Sequence, residues 1–365
     1  MALFGRFWRN AVATYFEQRA ARAYEHGNYR QALRWFQAVV RLREQQHGPT
    51  HPAMAASLNN LATVYQELGE YEAALPLYQR ALQIDEQAFG PTDAEVVPEV
   101  LSLASLYQDL GRYAEALPLY QRAIALCQSA FESNHPLVAI GLNDLAELYR
   151  EQGQYQQALP LHQRALTIRQ QRLSANDPAL AQSLTNLGLL YKALGQETEA
   201  LPLYHRALAI DEQAYGPNHP IVATDLNNLA SLLAVQGDAA HALLLYQRAL
   251  AIREQALGPD HPAVATCLDN LATLAADQQH YDEALPLYQR ARTILETRLG
   301  PLHPDLATCL YSLARVYHLQ GQVQEAVPLY ERALAIWEQK QPEHPSTTRC
   351  RERLASLGYH RPLRE

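Results

Sequence analysis

The sequence predicts an all-α solenoid, and two observations carry that prediction. The phrase ALPLY stands at 74–78, 116–120, 200–204 and 284–288, with variants at 158–162, 242–246 and 326–330. Tyr78, Tyr120, His162, Tyr204, Tyr246, Tyr288 and Tyr330 are therefore spaced by 42 residues, with no insertion or deletion. A fixed period over nearly the whole chain is the mark of stacked units that share one continuous core. Within each unit the apolar residues recur at i, i+3, i+4 and i+7, the period of a helix.

The unit 52–93 shows how each element arises. Pro52 can open a helix, because the first turn makes no use of the N–H it lacks. Leu58, Leu61, Ala62 and Tyr65 form the apolar stripe of that first helix. Gly69 ends it by supplying a left-handed backbone. Tyr71, Ala74, Leu75, Tyr78, Ala81 and Leu82 form the stripe of a second helix, and Gly90-Pro91 breaks the chain after it. The alanines let helix axes approach, and the tyrosines fill the space between units. Pro76, Pro118, Pro160, Pro202, Pro286 and Pro328 fall inside the second helix, where a proline costs about 3 kcal/mol. Either that helix starts later than Gly69 suggests, or it bends at the proline.

Counting in both directions gives an N-terminal extension at 1–10, a solenoid at 11–345, and a capping helix with tail at 346–365. The units run over about 11–51, 52–93, 94–135, 136–177, 178–219, 220–261, 262–303 and 304–344. Gly27, Tyr29, Ala32 and Phe36 mark a degenerate first unit. In 346–358, Cys350, Leu354 and Ala355 keep the register while Arg351 and Gly358 replace core residues. One apolar face and one wet face are what a terminal cap needs. The expectation is eight helix pairs and a cap, 17 helices.

Composition narrows the function classes. The chain of 365 residues is 48% hydrophobic and 19% charged, which suits a folded soluble protein. A net charge of −8 argues against nucleic acid, where neutralised phosphates supply most of the affinity. No run of about 18 apolar residues is present to span a membrane, and the N-terminus lacks a signal-peptide pattern. A cytoplasmic protein is expected. Phe4, Phe7 and Trp8 beside Arg6 and Arg9 are read as a cap on the first unit, with contact to a membrane or partner as the alternative. Neighbouring units stack about 8–10 Å apart, and a disulfide needs Cα atoms within about 7 Å. Cys127, Cys267, Cys309 and Cys350 are therefore read as core fillers.

Leu58, Leu61, Ala62, Tyr65, Gly69, Tyr71, Ala74, Tyr78, Ala81 and Leu82 together resemble the tetratricopeptide-repeat signature. The common form has a period of about 34 residues. The longer period, the phrase LNNLA at 58–62 and 226–230, and the linkers GPTHP, GPNHP and GPDHP are similar to the kinesin-light-chain variety. The resemblance covers about residues 11–358. It implies a right-handed superhelix whose first helices line a concave peptide-binding face.

Catalytic and metal chemistry find little support. His51, His135, His219, His261, His303 and His344 recur one unit apart, about 10 Å, too far for shared zinc ligation near 2 Å. They are read as caps and loop residues. No phosphate-binding loop or nucleophile elbow is present, so neither cofactor nor enzyme activity is expected. Arg80, Arg122, Arg164, Arg206, Arg248, Arg290 and Arg332 form a ladder on the second helices. It is read as a solvated outer face balanced by Asp85, Glu86, Asp211, Glu212 and Glu254.

By the resemblance, the groove positions of unit 52–93 are Ala56, Asn59, Asn60, Thr63, Gln66 and Glu67. Asn60, Asn186, Asn228 and Asn270 repeat at one place, and Asn59, Asn143 and Asn227 beside it. A carboxamide both donates and accepts, so such a row suits an extended peptide backbone. It suits bonds between neighbouring helices equally. Groove charge is uneven: Glu67, Asp109, Asp144, Glu147 and Glu151 dominate the first half, with Arg150 and Lys192 following. The kinesin-light-chain groove is associated with acidic peptides. This one suits a partner with a basic stretch towards the N-terminal units. The expected function is a non-catalytic scaffold or adaptor, monomeric or weakly self-associating, that binds a protein or peptide segment. The alternatives are a kinesin-light-chain-like cargo adaptor and a self-assembling scaffold.

Overall fold

The computed structural model describes residues 2–359, with side chains from residue 12 onward. The side chains of Phe4, Phe7 and Trp8 lie outside the described residues. The pairs are α1 (Ala2–Glu25) with α2 (Tyr29–His47), α3 (Ala53–Glu67) with α4 (Tyr71–Phe89), and α5 (Val97–Asp109) with α6 (Tyr113–Ala130). Then come α7 (Pro136–Glu151) with α8 (Tyr155–Arg172) and α9 (Pro178–Ala193) with α10 (Glu197–Tyr215). The last are α11 (Pro220–Val235) with α12 (Ala239–Leu257), α13 (Pro262–Asp277) with α14 (Tyr281–Arg298), and α15 (Pro304–Leu319) with α16 (Val323–Lys340). The cap is α17 (Pro345–Ser356), so the described residues hold 17 α-helices and no strand.

The interior prolines neither delay nor end the second helices. Each such helix begins two residues after its turn residue, a glycine in all but α14, and the proline sits in its second turn: α4 starts at Tyr71 and contains Pro76. All six prolines are exposed, so the carbonyl each one leaves without an N–H partner faces water, which satisfies it. One unit departs from the pattern. Residue 94 is Ala where other units carry the helix-opening Pro, and the proline stands at 98 instead. A 3-10 turn over Ala94–Val96 precedes α5, which starts so that Pro98 falls in its first turn.

Alanines on the shared stripes are buried: Ala62, Ala74 and Ala81 show no exposed surface, and their alanine equivalents at most 1%. The helices can approach because nothing larger stands there. Tyr78, Tyr204, Tyr288 and Tyr330 are the largest fully buried side chains. Where a ring must go inside with its hydroxyl, a groove residue often meets it: Tyr78 shares hydrogen bonds with Thr63 at 3.0 Å and Gln66 at 2.8 Å. The four cysteines are free and buried, and Cys309 and Cys350 donate weakly to the carbonyls of Tyr288 and Tyr330.

The stacking brings distant units into contact. Three successive turns within the N-terminal pairs rest on three successive linkers near the C-terminus. A Cβ added at Gly27 would lie 2.7 Å from Pro262, one at Gly69 2.9 Å from Pro304, and one at Gly111 2.8 Å from the backbone of His344. Hydrogen bonds cross the same seam. His303 Nε2 donates to the Glu67 carbonyl at 3.0 Å, and Gln341 Nε2 to the Asp109 carbonyl at 2.7 Å. Arg298 donates to Asn28 Oδ1 at 2.6 Å. The partners are 236, 232 and 270 residues apart. The second superhelical turn therefore sits directly on the first, and the concave face becomes the wall of a channel.

One unit breaks the turn chemistry. Gln279 occupies the place that Gly27, Gly69, Gly111 and their equivalents hold, and it takes φ 64°. A side chain in that left-handed region costs about 1 kcal/mol. Gln279→Gly should therefore stabilise the fold by about 1 kcal/mol, read as a higher urea midpoint at unchanged slope.

Candidate functional site

The channel wall is built from first helices, and its shape follows from what caps and packs them. His135, His219, His261, His303 and His344 each accept the N–H two residues on through Nδ1, as does His51. Asp177 does the same for α9. That role fixes Nδ1 as an acceptor and leaves the proton on Nε2. Nε2 of His303 is then free to donate across the seam. Burial holds His303 and His344 below the usual imidazole range and takes His261 down to about 4, so the seam histidines are neutral.

Several clefts open among the described residues; one near the C-terminal end, about 440 Å³, is lined by Asp277, Arg315, His318 and Arg353, and three others bear on the predicted groove. The first lies at the seam, with a volume of about 480 Å³. Glu67 and Asp109 line one wall and Asp305 the other, with Tyr29, Tyr71 and Trp337 between them, and no Lys or Arg among the lining residues. Burial, opposed by a bond from Gln66 and reinforced by the charges of Glu67 and Asp305, pushes the Asp109 carboxyl up to about 6. The second cleft, about 500 Å³, lies between α1 and α3 and is lined by Glu17, Tyr24, Arg43 and Asn60. The third, about 600 Å³, lies between α9 and α11 over the end of α10, and is lined by Asn186, Asn228, Asp211 and Asp225.

The sequence-predicted residues divide between these clefts and the packing. Asn59 exchanges hydrogen bonds with Ser102. Asn143 donates to Ser183 at 2.9 Å and meets His162 at 2.9 Å. Asn227 donates to Cys267 Sγ at 3.3 Å. In this row it is the inter-helix bonds that are present. Asn60 is exposed, and Asn186, Asn228 and Asn270 are half-buried. Gln66 donates to Asp109 at 2.6 Å, and Glu67 accepts from Tyr24 at 2.8 Å. Glu147 pairs with Arg150. Lys192 reaches Ser231 on the next first helix. Burial raises Asp144 to about 6 and Glu151 to about 7, the latter while accepting a bond from Gln108.

The outer arginine ladder is paired much as expected, with one correction. Arg80, Arg122, Arg248 and Arg290 bridge to Glu44, Glu86, Glu212 and Glu254 on the preceding second helix. Asp85 and Asp211 do not belong to this solvated face. They are 7% and 5% exposed and face Glu99 and Asp225, themselves 6% and 4% exposed. Each lies three residues after a stripe residue, Leu82 or Leu208, so helical phase turns it inward. These carboxyl pairs were missed because residue type was weighed above phase. In three other units the equivalent residue is an arginine, Arg43, Arg169 and Arg253, which donate to the carbonyls of Ala53, Ala179 and Ala263.

Comparison with known proteins agrees with this geometry. Residues 11–87, 97–171, 179–255, 226–297, 275–339 and 305–361 match the family model described as tetratricopeptide repeat. The chain belongs to the tetratricopeptide repeat family. Among solved structures of this tetratricopeptide fold, a Rap protein complexed with Competence and Sporulation Factor is 15% identical, covering 92% of this chain and 99% of its own, at TM-score 0.60. BtubC (BKLC) from P. vanneervenii is 24% identical over 71% of this chain and 94% of its own, at TM-score 0.47. Putative kinesin light chain repeats from Podosopora anserina are 28% identical over 57% of this chain and 98% of theirs, at TM-score 0.45. No curated protein matches the chain. No described helix of this tetratricopeptide protein is long and apolar enough to cross a membrane, and no group of three or more acidic, His or Cys side chains among the described residues could hold a metal.

The carboxyl pairs set a pH dependence. Burial and the facing carboxyl push Asp85 up to about 7 and Asp225 up to about 8, from about 4 in an unfolded chain. Between those values the folded state holds protons that the unfolded chain releases, so stability falls as pH rises from about 4 to about 8. The variant Asp85→Asn with Asp225→Asn should lose less urea resistance than the wild type between pH of about 5 and about 8.5.

Proposed function

We propose that this protein is a non-catalytic interaction scaffold whose channel takes an extended protein segment with a basic stretch. The observation that carries the reading is the seam cleft, which Glu67, Asp109 and Asp305 line with no Lys or Arg among the described lining residues. Glu67 and Asp109 are half-buried side by side, with Asp305 exposed at the opposite rim, and the three together favour a cation from outside. Asn60, Asn186 and Asn228 line the clefts or their rims at repeat spacing, where carboxamides can meet a peptide backbone. The half-buried ring of Tyr29 supplies apolar surface beside the charges. Further along, Glu147 is already paired with Arg150 and Arg315 with Asp277, so the attraction for a cation is strongest towards the N-terminal units.

A fluorescein-labelled peptide alternating arginine and glycine tests this by anisotropy. Glu67→Gln with Asp109→Asn keeps side-chain shape and should weaken binding about ten-fold, the loss of charge-assisted bonds. Binding by the wild type should strengthen as pH rises from about 5.5 to about 8, because Asp109 and Glu151, raised to about 6 and about 7, ionise over that range. Equal binding of a matching acidic peptide, or unchanged binding by the variant, would sink the reading.

A further inference from the structure

The third cleft differs from the second in one respect that points to a ligand group. Arg43 and Asp211 occupy the same repeat position, and so do Glu17 and Thr185, Ser57 and Asp225, Asn60 and Asn228. Between α1 and α3 the chain fills the site with its own cation. Arg43 donates to the Ala53 carbonyl at 3.0 Å and pairs with Glu17. One unit beyond the third cleft, Arg253 does likewise, donating to the Ala263 carbonyl at 2.8 Å and to Thr224 at 3.0 Å. Between α9 and α11 the guanidinium is replaced by Asp211, facing Asp225.

Both carboxyls are more than nine-tenths buried and line the cleft of about 600 Å³. No Lys or Arg is among its lining residues. Thr185 donates to Asp225 Oδ1 at 3.3 Å. Asp211 Oδ1 and Asp225 Oδ2 are buried with no hydrogen-bond partner among the described residues, and the two carboxyls lie close enough to interact with each other. The Asp85–Glu99 pair differs in that Glu99 also draws a bond from Asn59.

We propose that Asp211 and Asp225 form a receptor for one arginine side chain of the bound segment, seated where other units seat their own arginine. The proposal rests on the channel being the peptide groove, and it adds where and how a basic residue is read. A planar guanidinium donates two parallel bonds to a carboxylate, and the pair offers it two. In the empty cleft one proton shared between the carboxyls relieves their repulsion. An entering guanidinium replaces that proton, which leaves to solvent. Glu212 and His219 are the other charged or titratable groups acting on the pair, with Tyr215 at the rim.

Two probes keep this site separate from the wider groove. Arginine amide carries the guanidinium alone, and citrulline amide is its neutral counterpart. At neutral pH, arginine amide should shift the carboxyl carbon resonance of Asp225 and release protons, read by calorimetry in two buffers of different ionisation heat. Citrulline amide should do neither. Asp211→Asn with Asp225→Asn keeps shape and removes repulsion, so it folds; it should abolish both signals and weaken the arginine–glycine peptide several-fold. No response to arginine amide, or peptide binding untouched by the double variant, overturns the receptor and leaves the groove reading standing. A response to arginine amide without binding of the peptide keeps the receptor and overturns the groove reading.

Discussion

Every long-range feature of this molecule depends on one constraint: each unit must place the next by the same step. The step is set by contacts between small and large side chains, Ala62, Ala74 and Ala81 against Tyr78 and their copies, all buried. No unit gains or loses a residue between Tyr78 and Tyr330. Because the step does not vary, errors do not accumulate, and residues more than 230 positions apart arrive within hydrogen-bond distance. A single insertion would rotate everything after it and part the seam.

The seam changes what the concave face is. An open superhelix would offer a wet groove with carboxylates screened by solvent. Here the Gly69 turn rests on Pro304, and burial is the largest influence on Asp109, which lines that seam, and raises it. The linker histidines bind these levels together. Each caps a helix through Nδ1, and in His303 the other nitrogen donates across to Glu67. A capping residue chosen for local reasons thus also fixes the distance between superhelical turns.

Much of the architecture was legible in the sequence because it repeats. The period, the helix pairs, the histidine caps and the cap α17 each rest on a local pattern that recurs. The seam was not legible, because it depends on a rotation per unit that no local pattern encodes. Asp85 and Asp211 show a different failure. Their phase, three residues after Leu82 and Leu208, places them inward, yet carboxylates are rarely buried without a partner. Here the partner is another carboxyl, which residue type alone does not suggest. The row of Asn59, Asn143 and Asn227 illustrates a third case. One carboxamide can serve packing or ligand, and only its actual neighbours, Ser102, Ser183 and Cys267, separate the two.

The superhelix closes on itself where the 69 turn meets the 303–304 linker. Spin labels at Glu70 and Leu302, both exposed and flanking the contact between Gly69 and the His303–Pro304 linker, test it directly by pulsed electron–electron resonance. Closed turns give one short, narrow distance distribution in the free protein. A long or broad distribution would show that the turns stand apart, and the enclosed channel would not exist.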